Sequence, residues 1–133
     1  MCEYLKLKGV FGWPIAHDGM ITCLDSRDNT LVSGGIDSKI SIWDARMMSR
    51  PMKKISPDDR VILKVGIGPS SLLAVSTLNG LYLVNSDTGD YSKSIGFADK
   101  QTGRYNDMAW CYEDSLLYVA GEDSTIDSYK LVH

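Results

Sequence analysis

Short apolar runs alternate along this chain with clusters of Gly, Pro, Ser, Asn and Asp, the pattern of β-strands joined by tight turns. Glu3 to Val10 alternate loosely between polar and apolar side chains and end at the breaker Gly12-Trp13-Pro14, which predicts one outer strand over 3–12. Strands follow near Met20 to Asp25, Thr30 to Gly34 and Lys39 to Asp44, then a turn over Arg46 to Arg50 and an outer strand from Met52 to Ser56. A second set runs Val61 to Val65, Leu72 to Ser76 and Leu81 to Val84, with an edge strand from Tyr91 to Ile95 after the turn Asp87 to Asp90. The third set is Asn106 to Tyr112, Leu116 to Ala120 and Thr125 to Leu131. Trp43 aligns with Val84 and Tyr129, at separations of 41 and 45 residues, so the same unit is written three times. The expected fold is all-β: one repeat region over 1–133, made of three consecutive four-stranded antiparallel units at 13–56, 57–96 and 97–133. The strand at 3–12 completes the last unit or the one before it.

The first unit carries polar groups at fixed offsets. Ser33 lies ten residues before Trp43, Asp37 six before it, and His17 twenty before Asp37. A buried indole has one N–H donor and needs an acceptor, which a Ser hydroxyl on the neighbouring strand supplies. That hydroxyl can donate to a His ring nitrogen, and the other ring N–H to the Asp carboxylate. The chain of bonds ties a loop, two strands and a turn together, and each link is costly to leave half made.

This constellation, with the Gly34-Gly35 strand end, the aspartate turn and the Trp43-Asp44 ending, resembles the WD-repeat β-propeller family, and the likeness runs from Trp13 to Val132. It implies a non-catalytic platform for protein–protein interaction, with His17, Ser33, Asp37 and Trp43 as a structural tetrad. The rival reading is a hydrolase using Ser33, His17 and Asp37 as an acyl-transfer triad; no nucleophile-elbow context surrounds Ser33, so the structural role is preferred. The tetrad fades along the chain. In the third unit Asp123 and Tyr129 keep the six-residue offset, but Val119 replaces the Ser and no upstream His is present. In the second, Val84 and Asn85 replace Trp43 and Asp44 and the turn is one residue shorter, so that unit is expected to rely on apolar packing.

Propeller rings typically close with about four to eight blades, and three do not suffice. Three arrangements meet that count: the chain is the C-terminal part of a longer propeller, two copies pair as a homodimer into a six-bladed ring, or another protein supplies the missing blades in a hetero-complex. Each leaves apolar flanks on the first and last blades.

The likeness also implies that partners are gripped on the face formed by the loops before each first strand and the aspartate turns. Aligning the repeats places Gly19, Ile21 and Ile36 there from the first blade, Val61, Leu63 and Leu78 from the second, and Arg104, Asn106 and Glu122 from the third. Such a face suits a peptide with an apolar segment and a polar anchor; the same apolar residues also fit simple packing around a channel.

Composition narrows the remaining classes. Fourteen basic and 17 acidic residues give a net charge of −3, with no basic track for a phosphate backbone, so direct nucleic-acid binding is not expected. No run approaches the roughly 18 apolar residues of a membrane span, and the N-terminus has no signal-peptide pattern. Arg60 and Arg104 stand singly, which argues against lipid binding. Lys53-Lys54 fits an edge strand protected from pairing. Asp58-Asp59 and Glu113-Asp114 lack calcium-loop spacing, and no phosphate loop occurs. No cofactor or metal is expected. Cys2, Cys23 and Cys111 have no disulfide or metal spacing and fit reduced thiols in the cytoplasm or nucleus. His133 fits a solvated terminus.

Overall fold

The computed structural model describes residues 5–9, 16–47, 49–93, 104–121 and 124–131. Three antiparallel sheets account for the regular structure. The first holds β1 (Ile21–Arg27), β2 (Thr30–Gly35), β3 (Ile40–Asp44) and β4 (Lys53–Ile55) in that order. The second holds β5 (Ile62–Ile67), β6 (Leu72–Thr77), β7 (Gly80–Asn85) and β8 (Tyr91–Lys93), again in chain order. In the third, β10 (Leu116–Gly121) sits between β9 (Tyr105–Cys111) and β11 (Ile126–Lys130), so among the described residues it has three strands rather than the expected four. The expected N-terminal strand differs too. Residues 5–9, the described part of it, form no strand, and Leu5 and Leu7 are exposed. Polar–apolar alternation does not hold a segment in a ladder when neither apolar side chain finds a surface to cover. Residues 3–4 and 10–12 lie outside the described residues, as do Cys2 and His133.

Face-to-face packing organises the three sheets. Cys23, Val32, Ile40, Ile42 and Ile55 of the first sheet meet Val65, Ile67, Leu73, Val75, Tyr82 and Val84 of the second in one core. Ala74 and Leu81, with Leu83, turn the other way and pack on Leu117, Val119, Met108 and Trp110 of the third. The middle sheet is covered on both faces, which is why its strands read as nearly continuous apolar runs rather than alternating ones. The third sheet alternates, with Leu117 and Val119 buried and Tyr118 exposed. The sheets stack without closing a ring.

Both outer flanks were expected to be open. On the outward side of the first sheet Ser33, Ser41 and Trp43 are all buried, while Ile21 and Leu24 stay exposed.

The inner strands share a defect. The ladder skips Thr22 in β1, Leu63 in β5 and Asn106 in β9, one residue into each strand, so each bends at the same place. The resulting joints between sheets are polar. Thr22 Oγ1 donates to Ile62 O at 2.5 Å, and Ser76 Oγ donates to Tyr105 O, the equivalent carbonyl of the third sheet. At the opposite end Ile67 N donates to Asp25 Oδ2 at 2.7 Å, and the Trp110 indole donates to Gly66 O at 3.2 Å. Arg27 of the first sheet reaches past the second to lie 3.8 Å over the Tyr112 ring of the third, while Tyr112 donates to Ile67 O.

Trp110 lies so close to β5 that only glycine fits beneath it. A Cβ on Gly68 would stand 2.5 Å from Trp110 Cε2. Gly68→Ala should therefore cost about 1–3 kcal/mol in urea melts. The same substitution in a Trp110→Leu background should cost less, because the rigid ring that blocks it is gone.

Candidate functional site

The tetrad residues come together in the first sheet. Trp43 Nε1 donates to Ser33 Oγ at 3.0 Å, and Ser33 Oγ stands 2.7 Å from His17 Nε2. His17 Nδ1 lies 3.0 and 3.1 Å from the two oxygens of Asp37. The directions are forced. An indole N–H can only donate, so the Ser33 hydrogen goes to His17 Nε2 and the Nδ1 hydrogen to the carboxylate. Asp37 also accepts from the amides of Asp18 at 3.1 Å and Lys39 at 3.2 Å. Burial pulls the Asp37 carboxyl upward, but the bonds from His17 and the two amides outweigh it and hold the group below its ordinary value of 3.8. Gly35 makes room: a Cβ there would meet Asp37 Oδ1 at 2.9 Å and His17 Nδ1 at 3.0 Å. Ser33 is 2% exposed, with its oxygen engaged by Trp43 and its hydrogen by His17, so no substrate carbonyl has a path to it.

The second sheet does not rely on apolar packing alone. Asp58, 41 residues after His17, takes that histidine's place before the inner strand. Its Oδ2 accepts from Thr77 Oγ1 at 2.9 Å, and Thr77 in turn accepts from Asn79 N at 2.9 Å. Tyr82 stands in the register position of Ser41; burial first, and then the neighbouring Asp58 carboxylate, push its phenol up to about 12. The third sheet uses yet another set. Tyr105 OH donates to Asp127 Oδ2 at 3.2 Å and lies 3.0 Å from Tyr129 OH, with burial the main cause of its raised pKa. Asp123 lies outside the described residues. Position 41 of the first sheet, equivalent to Tyr82 and Asp127, holds Ser41, whose fully buried Oγ has no hydrogen-bond partner among the described residues.

The residues expected on the loop face stand at the start of an inner strand or the end of the next, at one end of the stack. In the first sheet Ile21 and Ile36 are both exposed, Ile36 N donates to Met20 O at 3.0 Å, and the Ile36 side chain folds over Gly19, whose φ is +121°. Met20, 69% exposed and bonded through its carbonyl to Ile36 N, stands at the same end, where the repeat alignment did not place it. Val61, Leu63 and Leu78 are only half-exposed, so they shape the face more than they offer contact. Arg104 and Asn106 are exposed, and Glu122 lies outside the described residues. Among the described residues no three His, Cys, Asp or Glu side chains converge as metal ligands, and no helix is long and apolar enough to cross a membrane.

His17→Ala should cost about 1–3 kcal/mol by stranding Ser33 and Asp37, and Trp43→Ala about 3–5 kcal/mol from lost burial. Asp58→Ala should cost as much as His17→Ala if the second network carries equal weight; urea melts measure all three. Because the folded Asp37 value is depressed, its contribution is full above 3.8 and disappears as pH falls through the folded value. The stability gap between the native chain and Asp37→Asn should therefore be widest near neutral pH and close in acid.

Residues 7–44, the span that holds all four tetrad positions, match the WD40 family model, described as WD domain, G-beta repeat. Mitochondrial division protein 1 of Aspergillus clavatus is 28% identical over 79 residues, which cover 57% of this chain and 12% of that protein. The crystal structure of the computationally designed Ika8 protein superposes with a TM-score of 0.68 at 16% identity, over 86% of this chain and 34% of that one. Residues 7–44 thus carry a WD40 repeat, and two further antiparallel sheets are stacked on it in the same way, an arrangement consistent with part of a WD propeller.

Proposed function

We propose that this chain is a non-enzymatic scaffold subunit of an intracellular multiprotein complex, gripping a protein partner through the loop face at the bulged ends of its inner strands. WD40 repeats mark protein-interaction scaffolds in general. The observation that carries the finer reading is the exposed apolar cluster of Met20, Ile21 and Ile36, on the same end of the stack as Arg104 and Asn106. Large apolar side chains held in solvent by a rigid backbone make good anchor points, because little entropy is lost when a partner covers them. Arg104 and Asn106 supply the ionic and hydrogen-bonding end, so the partner is a segment with apolar residues followed by an acidic or carbonyl anchor. The free thiols of Cys23 and Cys111 support a reducing compartment. A second reading, a partial ring completed by another chain, is favoured by the exposed outer face of the third sheet.

Met20→Glu, Ile36→Glu and Arg104→Glu combined should abolish capture of partners from an extract of the native source, with an unchanged thermal melt. Recovery of the same partners by the triple variant would move the site off the loop face. A serine-directed fluorophosphonate should leave the folded chain unlabelled at Ser33; labelling there would revive the hydrolase reading.

A further inference from the structure

The connection between β3 and β4, residues 45–52, carries chemistry that neither the tetrad nor the loop face uses. It leaves the first sheet at the end away from the loop face, since Asp44 pairs with Thr30 while Ile40 pairs with Gly34. From Arg46 to Lys54 the sequence holds Arg46, Arg50, Lys53 and Lys54 and no acidic residue. In a chain of net charge −3 this is a local excess of positive charge. Ser49 lies inside it. Arg46 stands three residues before that serine and Arg50 directly after, and no carboxylate residue occurs within four positions on either side. The other exposed serines of the described residues differ. Ser26, Ser56, Ser92, Ser124 and Ser128 each have an aspartate within two positions, and Ser70 and Ser71 have no charged residue within four.

The fold offers Ser49 to solvent. Met47 N donates to Asp44 O at 2.9 Å and Met52 N donates to Ile42 O at 2.7 Å, which pins the loop at its two ends, and Ser49 and Arg50 between them are exposed. Beside Ser49 opens a concavity of about 520 Å³ lined by Asp44, Met47, Ser49, Arg50, Pro51 and Met52. A phosphoryl group has room there without displacing a packed side chain. Arg46 forks onto Asp44, with Nε and Nη2 donating at 3.0 and 2.9 Å, yet its side chain is 69% exposed. An ion pair in solvent is held weakly, so this guanidinium is free to turn to a stronger anion.

We propose that Ser49 is a phosphorylation site, the substrate of a protein kinase that selects serines with an arginine three residues before and a basic residue after. The Ser49 oxygen attacks the γ-phosphorus of the kinase's Mg-ATP, the bond from that phosphorus to its bridging oxygen breaks and ADP leaves, and the hydroxyl proton passes to the kinase's catalytic aspartate. The phosphate brings a charge of about −1.5 to −2 and three acceptor oxygens. Arg46 and Arg50 flank it, so Arg46 exchanges Asp44 for the phosphate and the positive charge of this end of the blade is largely neutralised. The site stands at the opposite end of the sheet from the loop face and does not depend on what that face binds.

Incubation of the folded 133-residue chain with Mg-ATP and the catalytic domain of protein kinase C, followed by tandem mass spectrometry, tests this. A single phosphate is expected, on Ser49, with kcat/KM lowered about ten-fold or more in Arg46→Ala and an unchanged thermal melt. Casein kinase 2, which selects serines followed by acidic residues, should leave Ser49 unmodified. In the phosphorylated chain, phosphorus NMR should show the phosphate titrating below the value of about 6 for an unpaired phosphoserine. Absence of phosphate at Ser49, a phosphate on another serine in its place, the same rate for Arg46→Ala, or a titration midpoint at the unpaired value would each overturn the proposal.

Discussion

A polar group buried between stacked sheets is costly unless it finds a partner inside the protein, and among the described residues Ser41 Oγ is a buried side-chain group that lacks one. That constraint governs this molecule. In the first blade it is met by Trp43, Ser33, His17 and Asp37, which pass hydrogen bonds from the third strand to the second, to the entry loop and to the turn. The network fixes backbone as well as side chains, since Asp37 also holds the amides of Asp18 and Lys39. Removing one member leaves a buried donor or acceptor behind, and that residue of cost exceeds the value of the bond itself.

The other two blades face the same demand with different side chains. Asp58 does for Thr77 what His17 and Asp37 do for Ser33, and Tyr105 and Asp127 converge with Tyr129 in the third blade. What is repeated is a place where polarity must be satisfied rather than a set of residue types. The joints between blades behave alike. A hydroxyl beside the bulge crosses to the next inner strand at both, yet it comes from Thr22 in one case and from Ser76 in the other. Glycine follows from close approach: Gly34 admits Ile62, and Gly68 admits the Trp110 ring.

This economy leaves the molecule with unequal surfaces. The outward side of the first blade is buried at Ser33, Ser41 and Trp43, while the last blade presents Tyr118, Ile126 and Asp107 to solvent. At the loop face, beside the bulge at Thr22, Met20, Ile21 and Ile36 stay exposed. Acyl-transfer catalysis would demand the opposite treatment of Ser33, an exposed hydroxyl.

The sequence by itself determined the strands and the tetrad. Every expected strand from Met20 onward is present within a few residues, because period-two alternation, turn residues and a 41 to 45 residue recurrence are local signals that need no knowledge of neighbours. His17, Ser33, Asp37 and Trp43 stood out because an indole, a hydroxyl, an imidazole and a carboxylate at those offsets have complementary donors and acceptors. Asp58 was within reach of the same counting, since it lies one period beyond His17; an expectation tied to residue type passed over it. Tertiary structure decided the rest. Whether Leu5 and Leu7 pair in a strand, whether Leu63 and Leu78 project or pack, and how far each outer flank is covered all depend on what lies across the sheet. Burial is a property of two surfaces, and a chain read one residue at a time shows only one of them.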